Sequence, residues 1–153
     1  MQPDDTLNDL LQLSTMTLAT TSAQGEPHAA AVYFVAVLET PYTSQPAWRL
    51  YFFSEADSQH SRDIALRSEV AIALYPDCRG WQDIRGLQMR GTVYRVEPGA
   101  EWERAWEAYR LKFPFVDALK VIVARNALFA FLPVWIRLVD NRRGFGFKQE
   151  WAF

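Results

Sequence analysis

Cysteine, histidine and glycine are scarce in this chain, which has one Cys, two His and seven Gly in 153 residues. A lone Cys78 cannot close an internal disulfide, so the fold must be held by packing. It sits between Asp77 and Arg79 in a turn-like stretch and reads as incidental. His28 and His60 are far apart in sequence and have no Cys or carboxylate pattern at metal-ligand spacing around them, so no metal centre is expected. The few glycines form neither a phosphate-binding loop nor a nucleophile elbow.

Charge of one sign is lacking as well. Sixteen Lys and Arg stand against 18 Asp and Glu, and without a basic excess a generic nucleic-acid binder is disfavoured. Long apolar runs are absent: the longest candidate, NALFAFLPVWIRLV, is interrupted by Pro133 and Arg137, and spanning a bilayer takes roughly 20 apolar residues. No membrane association is expected. The N-terminus lacks the basic-then-apolar layout of a signal peptide, which makes the cytoplasm the expected compartment. There are no repeats, low-complexity tracts or linkers.

What is present is apolar and aromatic. Half of the residues are hydrophobic and 14% aromatic, enough for a single domain over residues 1–153 with apolar surface left for a partner subunit. In PDDTLNDLLQL, Leu7, Leu10 and Leu11 share a helical face behind Asp4, Asp5 and Thr6, which suit a helix start. TMTLATT and PHAAAVYFVAVLE are strand-like runs around the turn residues Gly25 and Pro27. TPYTSQP then reads as a loop, and AWRLYFFS as a third strand. EVAIALY and IRGLQMRGTVYRVE are two more strands; in the second, Leu87, Met89 and Val93 alternate with Gln88, Arg90 and Thr92. Gly86 and Gly91 within it mark a bulge, a close approach or barrel curvature. AEWERAWEAYRLKF carries Trp102, Ala105, Trp106, Tyr109 and Phe113 at helical spacing, an aromatic stripe suited to core or interface. FVDALKVIVAR reads as a short helix, and two strands follow, the first edged or broken by Pro133. Six or seven strands with few helices between them indicate an α+β, mainly β arrangement: an antiparallel barrel or sheet with flanking helices.

One segment carries candidate chemistry. In FSEADSQHSRDIAL a helix starting near Ser58 places Gln59, His60, Ser61 and Arg62 in its first turn, where unpaired N–H groups and the dipole attract anions. A hydroxyl and a guanidinium add what a phosphate monoester needs. By local rules alone, a plain capped surface helix and a phosphate site both remain open.

The order of motifs carries more than any one of them. LATTSAQGEPHAAAVYFVA, then RLYFFS running into SQHSRDIALRSEVAIALY, then IRGLQMRGTVYRVE resembles the pyridoxamine 5′-phosphate oxidase-like FMN-binding split-barrel superfamily. AYRLKFP, VWIRLVDN and GFGFKQEW look like an uncharacterised bacterial branch of it. The resemblance implies a split β-barrel with FMN bound non-covalently at a homodimer interface. It assigns the phosphate to His60, Ser61 and Arg62, the ring-facing strand to Ala30, Ala31, Val32 and Tyr33, the border of the ribityl chain to Phe53 and Ser54, and an amide reaching the flavin from the neighbouring subunit or strand to Gln88.

Two departures matter. Where the oxidase proper has an arginine at the start of the ring-facing strand, this chain reads His28, Ala29, Ala30. The oxidase's C-terminal substrate-binding arginine and histidine are not found, so vitamin B6 oxidation is not the expected activity. Arg142, Arg143 and Lys148 read as solvated turn charges rather than a substrate mouth. The resemblance therefore implies an FMN-dependent small-molecule oxidoreductase, with NADH or NADPH as reductant and no catalytic residue assigned. Left open are a non-catalytic flavin, deazaflavin or haem binder, with His28 or His60 as the histidine candidates for a haem ligand, and a dimeric interaction module with an empty pocket.

Overall fold

Asp4 sets the first element. Its backbone is extended and its carboxylate accepts from the N–H groups of Thr6 (2.9 Å) and Leu7 (3.3 Å), so helix α1 (Asp5–Leu10) starts at an acidic cap that also suits the dipole. Leu7, Leu10 and Leu11 on its apolar face are buried in the main core. The computed structural model describes residues 4–39 and 47–153; the loop read at TPYTSQP lies outside them.

The remaining elements are strands β1 (Thr15–Thr21), β2 (Pro27–Tyr33), β3 (Val35–Glu39), β4 (Ala47–Ser54), β5 (Glu69–Leu74), β6 (Arg85–Arg95), β7 (Ala127–Asp140) and β8 (Lys148–Ala152), with helices α2 (Gln59–Leu66), α3 (Ala100–Lys112) and α4 (Lys120–Val123). The strands form one sheet in the order β2-β1-β5-β6-β7-β4-β3, with β8 added on β7, and every pairing is antiparallel. β2 and β3 are the two ends of that path, yet one residue, Phe34, separates them in sequence. The sheet must therefore curl until its ends approach, which makes a split barrel. The run 27–39 reads as one strand from its apolar content, and it divides because Phe34 turns a corner and is fully buried there.

Alternation along β6 follows the sequence pattern. Leu87, Met89 and Val93 face the barrel interior and Arg90 faces out. Both glycines of β6 are close approaches. A Cβ on Gly86 would lie 2.4 Å from the Tyr75 ring, and one on Gly91 would lie 2.1 Å from the Leu132 carbonyl oxygen. At Gly91 the ladder also shifts, from Arg90 opposite Trp135 to Gly91 opposite Pro133, leaving Val134 as the extra residue of a bulge. Pro133 thus edges the bulge without ending β7.

A second apolar layer lies on the opposite face of the sheet from the barrel core. There Ala105 and Tyr109 of α3, with Phe113 at its C-terminal cap, pack on Tyr51, Leu128 and Ala130, and Trp102 and Trp106 are partly buried beside them. The segment FVDALKVIVAR forms a 3-10 stretch, Pro114–Leu119, before the single turn of α4, as its β-branched content disfavours a longer α-helix. Arg142 and Arg143 are exposed turn charges, as read from the sequence, but the structure pairs both of them. Arg142 donates to both oxygens of the buried Asp140 carboxylate at 2.8 Å, and Arg143 bridges to Asp4 at 2.8 Å, so the β7–β8 turn is clamped to α1. No helix among the described residues is long and apolar enough to cross a membrane.

Candidate functional site

Strand β4 runs out at Ser54, and four residues later Ser58 caps α2. Ser58 accepts from the N–H of Ser61 at 3.3 Å and its hydroxyl lies 2.8 Å from the Ser61 hydroxyl and 3.1 Å from that of Ser54. Ser54 also shares a hydrogen bond with His60 Nε2, and the Ser61 hydroxyl donates to the Glu55 carbonyl at 2.7 Å. The strand end and the helix start thus form one hydroxyl-rich cluster, with Ser54 and Ser61 buried. Arg62 stands exposed beside it, donating to the Asp57 carbonyl and, at 3.0 Å, to Gln59 Oε1. By helix geometry the N–H groups of Gln59 and His60 have no acceptor within the helix.

Two titratable groups tie this corner to the sheet. Burial pushes the His60 imidazole below its ordinary value, with the Asp63 carboxylate partly opposing it. For Asp63, burial pushes the carboxyl up, and hydrogen bonds from Thr20 (2.7 Å) and Gln59 (2.8 Å), with the charges of His28 and Arg62, pull it further down, to a value below the ordinary one. Asp63 anchors α2 on β1 and leaves the start of the helix as the cationic end.

The second region is the outer face of the sheet. The strand register lines up Ala29, Ala19, Ala71, Arg90 and Trp135 in one row, and Ala31, Thr17, Ala73, Gln88 and Arg137 in the next. Small side chains on β2, β1 and β5 make a shallow floor, with a groove of about 500 Å³ crossing Pro27, Ala19, Ala71, Arg90 and Val134. On its far side, Arg90 and Arg137 lie 4.7 and 4.8 Å from the Trp135 ring centre. Arg137 donates to Glu150 at 2.7 Å and to Gln88 at 3.4 Å, and Gln88 donates to the Tyr75 hydroxyl at 3.2 Å. The Gln88 amide is held at both ends.

The residues singled out in the sequence fall into four places. Ser54, His60, Ser61 and Arg62 converge at the start of α2. On β2, Ala31 and Tyr33 face outward, Ala30 is half-buried and Val32 faces the core; β2 ends the strand path, so one edge of its backbone carries no strand among those described. Phe53 turns the other way, with its ring 5.0 Å from Tyr109 and 5.8 Å from Trp106. Only its backbone remains on the side of Ser54. Gln88 stands three strands from Ala31, about 14 Å at ordinary strand spacing, so within one chain it does not touch a group lying along β2. Ser58, Thr20 and Asp63 support the α2 corner and Arg137 orients Gln88. Alternation could reveal that Arg90 shares the Gln88 face, whereas the role of Arg137 depends on pairing between distant strands. Among the described residues no group of three His, Cys, Asp or Glu is close enough to hold a metal ion.

Similar proteins fit this architecture. A family model described as pyridoxamine 5′-phosphate oxidase matches residues 4–140. The chain is 31% identical over 107 residues to the UPF0306 protein YhbP of Escherichia coli (strain SMS-3-5 / SECEC), which covers 66% of this chain and 65% of that protein. The match therefore spans just under two thirds of that relative's length. Among solved structures, the conserved hypothetical protein Rv2991 from Mycobacterium tuberculosis superposes with a TM-score of 0.74 at 18% identity, covering 94% of this chain and 88% of that one. HutZ, the haem storage protein from Vibrio cholerae, superposes with a TM-score of 0.70 at 19% identity, covering 87% and 91%. At such identities these two likenesses show the fold.

Proposed function

Because the chain belongs to the pyridoxamine 5′-phosphate oxidase family, we propose that it is a homodimeric flavoprotein that binds FMN non-covalently between subunits and acts as a small-molecule oxidoreductase. The observation that carries this reading is the corner where Ser54, Ser58, His60 and Ser61 meet the start of α2 with Arg62 alongside. These groups fit a phosphate monoester. The first-turn N–H groups and the dipole favour an anion, the hydroxyls exchange their internal bonds for phosphate oxygens, and Arg62 leaves only a carbonyl and an amide to reach it. Burial favours the neutral form of His60, so it adds a polar ring to the site. The flavin ring would lie along β2, where Ala31 leaves room for a flat group. Gln88, held by Arg137 and Tyr75 three strands away, would reach that ring from the partner subunit.

Bound FMN supplies the electron chemistry, and the chain supplies binding, orientation and access. NADH or NADPH is the proposed reductant. The absorbance spectrum of the freshly purified protein, with mass analysis of whatever denaturation releases, tests the reading. Released FMN near one per subunit supports it; a colourless protein that ignores added FMN rejects it. Arg62→Ala should weaken FMN binding tenfold or more, since a charged hydrogen bond contributes roughly 1.5–3 kcal/mol. Unchanged affinity in a fluorescence titration removes Arg62 from the phosphate site.

Haem is the second reading, favoured by the fold shared with HutZ, the haem storage protein from Vibrio cholerae. His28 is the better ligand candidate, because its imidazole meets only the Glu26 carboxylate at 4.0 Å while His60 is engaged by Ser54. The same spectrum separates the two cofactors, and a deazaflavin appears as a different released mass.

A further inference from the structure

Lys112, the last residue of α3, reaches across to the start of the barrel. Its Nζ donates to the Leu13 carbonyl at 2.6 Å, lies 4.2 Å from the centre of the buried Phe34 ring and 5.4 Å from that of Phe113. Aromatic faces favour an ammonium, and burial without a compensating carboxylate opposes it. Burial is the sole cause acting on Lys112 and pushes its amine down to about 8. Two titratable rings border this cage, Tyr33 and Tyr109, which lie 5.3 and 5.0 Å from Phe113. Tyr109 is pushed up to about 12 by burial and stays neutral. The neighbouring Arg110 is turned to Glu107 and Asp117.

Beside the amine is an open aromatic rim. Phe113 touches both Tyr33 and Phe115 at centroid distances of 5.3 and 5.7 Å, and each of those two rings is half exposed. A half-buried amine beside Phe113, whose ring carries the half-exposed Tyr33 and Phe115, can hold a flat electrophile in place. We propose that Lys112 is a covalent capture site for aromatic aldehydes, which it binds as an imine while their ring packs on Phe113, Tyr33 and Phe115. The neutral amine adds to the carbonyl carbon, protons pass from nitrogen to oxygen, and water leaves as the C=N bond forms. Nothing is oxidised or reduced, and no other reactant is needed.

The chain has only two other lysines, Lys120 and Lys148, both exposed, and they are built-in controls. The test treats the intact protein at about pH 7 with benzaldehyde or formaldehyde plus cyanoborohydride, then maps the modified lysines by mass spectrometry. Benzaldehyde should label Lys112 at least about tenfold faster than either control, because burial favours its neutral amine and the rim holds the aromatic ring beside it. Formaldehyde should show a smaller preference. Phe115→Ala, an exposed change that leaves the cage intact, should cut the benzaldehyde preference and leave the formaldehyde rates alone. Lys112 labelled no faster than Lys120 and Lys148 would overturn the proposal and leave the side chain as a charged tie to Leu13. A stronger preference with formaldehyde than with benzaldehyde would also overturn it, by removing the aromatic rim.

Discussion

Gly91 and His60 show how much single residues decide. Gly91 lies where β7 bulges against β6, with no room for a methyl group before the Leu132 carbonyl. Gly91→Ala must push two core strands apart, and overpacking of this kind costs about 1–3 kcal/mol. Chemical denaturation should show the midpoint falling with the slope unchanged. His60 makes stability depend on pH. Its folded-state value lies below the ordinary 6.5, so as pH falls the unfolded chain takes up the proton first. The stability that neutral His60 contributes is therefore complete above 6.5 and is lost as pH drops through the lowered folded value. Thermal melts from about pH 7.5 to about pH 5.5 should decline for the natural chain and be flatter for His60→Gln. Asp4 and Asp140 act in a separate, lower window. Arg143 and the backbone hold Asp4 below 3.8 against its burial, and Arg142 does the same for Asp140, so their contribution is present above 3.8 and lost only below it.

Among the elements, the β7–β8 turn and α1 behave as one unit. Asp140, only 1% exposed, receives Arg142 and Arg143, and Arg143 continues to the Asp4 cap of α1. Asp140→Asn removes the charge that both guanidiniums share and should cost up to about 3 kcal/mol, the low end for breaking a buried pair. Because α1 also buries Leu7, Leu10 and Leu11, amide exchange in the first helix should accelerate with it. If α1 stays as protected as in the natural chain, the clamp is not what holds it. Helix α2 is anchored differently, by Asp63 on Thr20 of β1, so its open end is free to meet a ligand.

In the whole molecule the two faces of the sheet have different fates. One closes around the barrel core. The other is covered by α3 over β3, β4 and β7, while over β2, β1 and β5 it keeps a floor of alanines and Thr17 beside the groove. Homodimer formation is proposed to use that open floor, with Gln88 of each subunit serving the other. Ala31→Arg places a long cation on the β2 edge of the floor without touching the core. It should halve the solution mass in native mass spectrometry or light scattering and abolish FMN binding together with the dimer. A variant that stays dimeric would move the interface elsewhere.

The sequence by itself determined the local elements. Caps at Asp4 and Ser58, the period-two alternation of β6 and the aromatic stripe of α3 are short-range patterns, set by backbone hydrogen bonding and side-chain spacing. The order of its motifs also identified the family. Only the tertiary structure decided what depends on pairing between distant residues. Phe34 turns one apolar run into two strands at opposite ends of the sheet, because curling is a property of the whole strand order. Phe53 faces α3 while its neighbour Ser54 faces α2, since two layers compete for one strand. Arg142 and Arg143, though exposed, pair with Asp140 and Asp4, an outcome set by where α1 docks. Lys112 shares its helix end with Arg110, yet only the packing of α3 against Leu13 and Phe34 half-buries its amine.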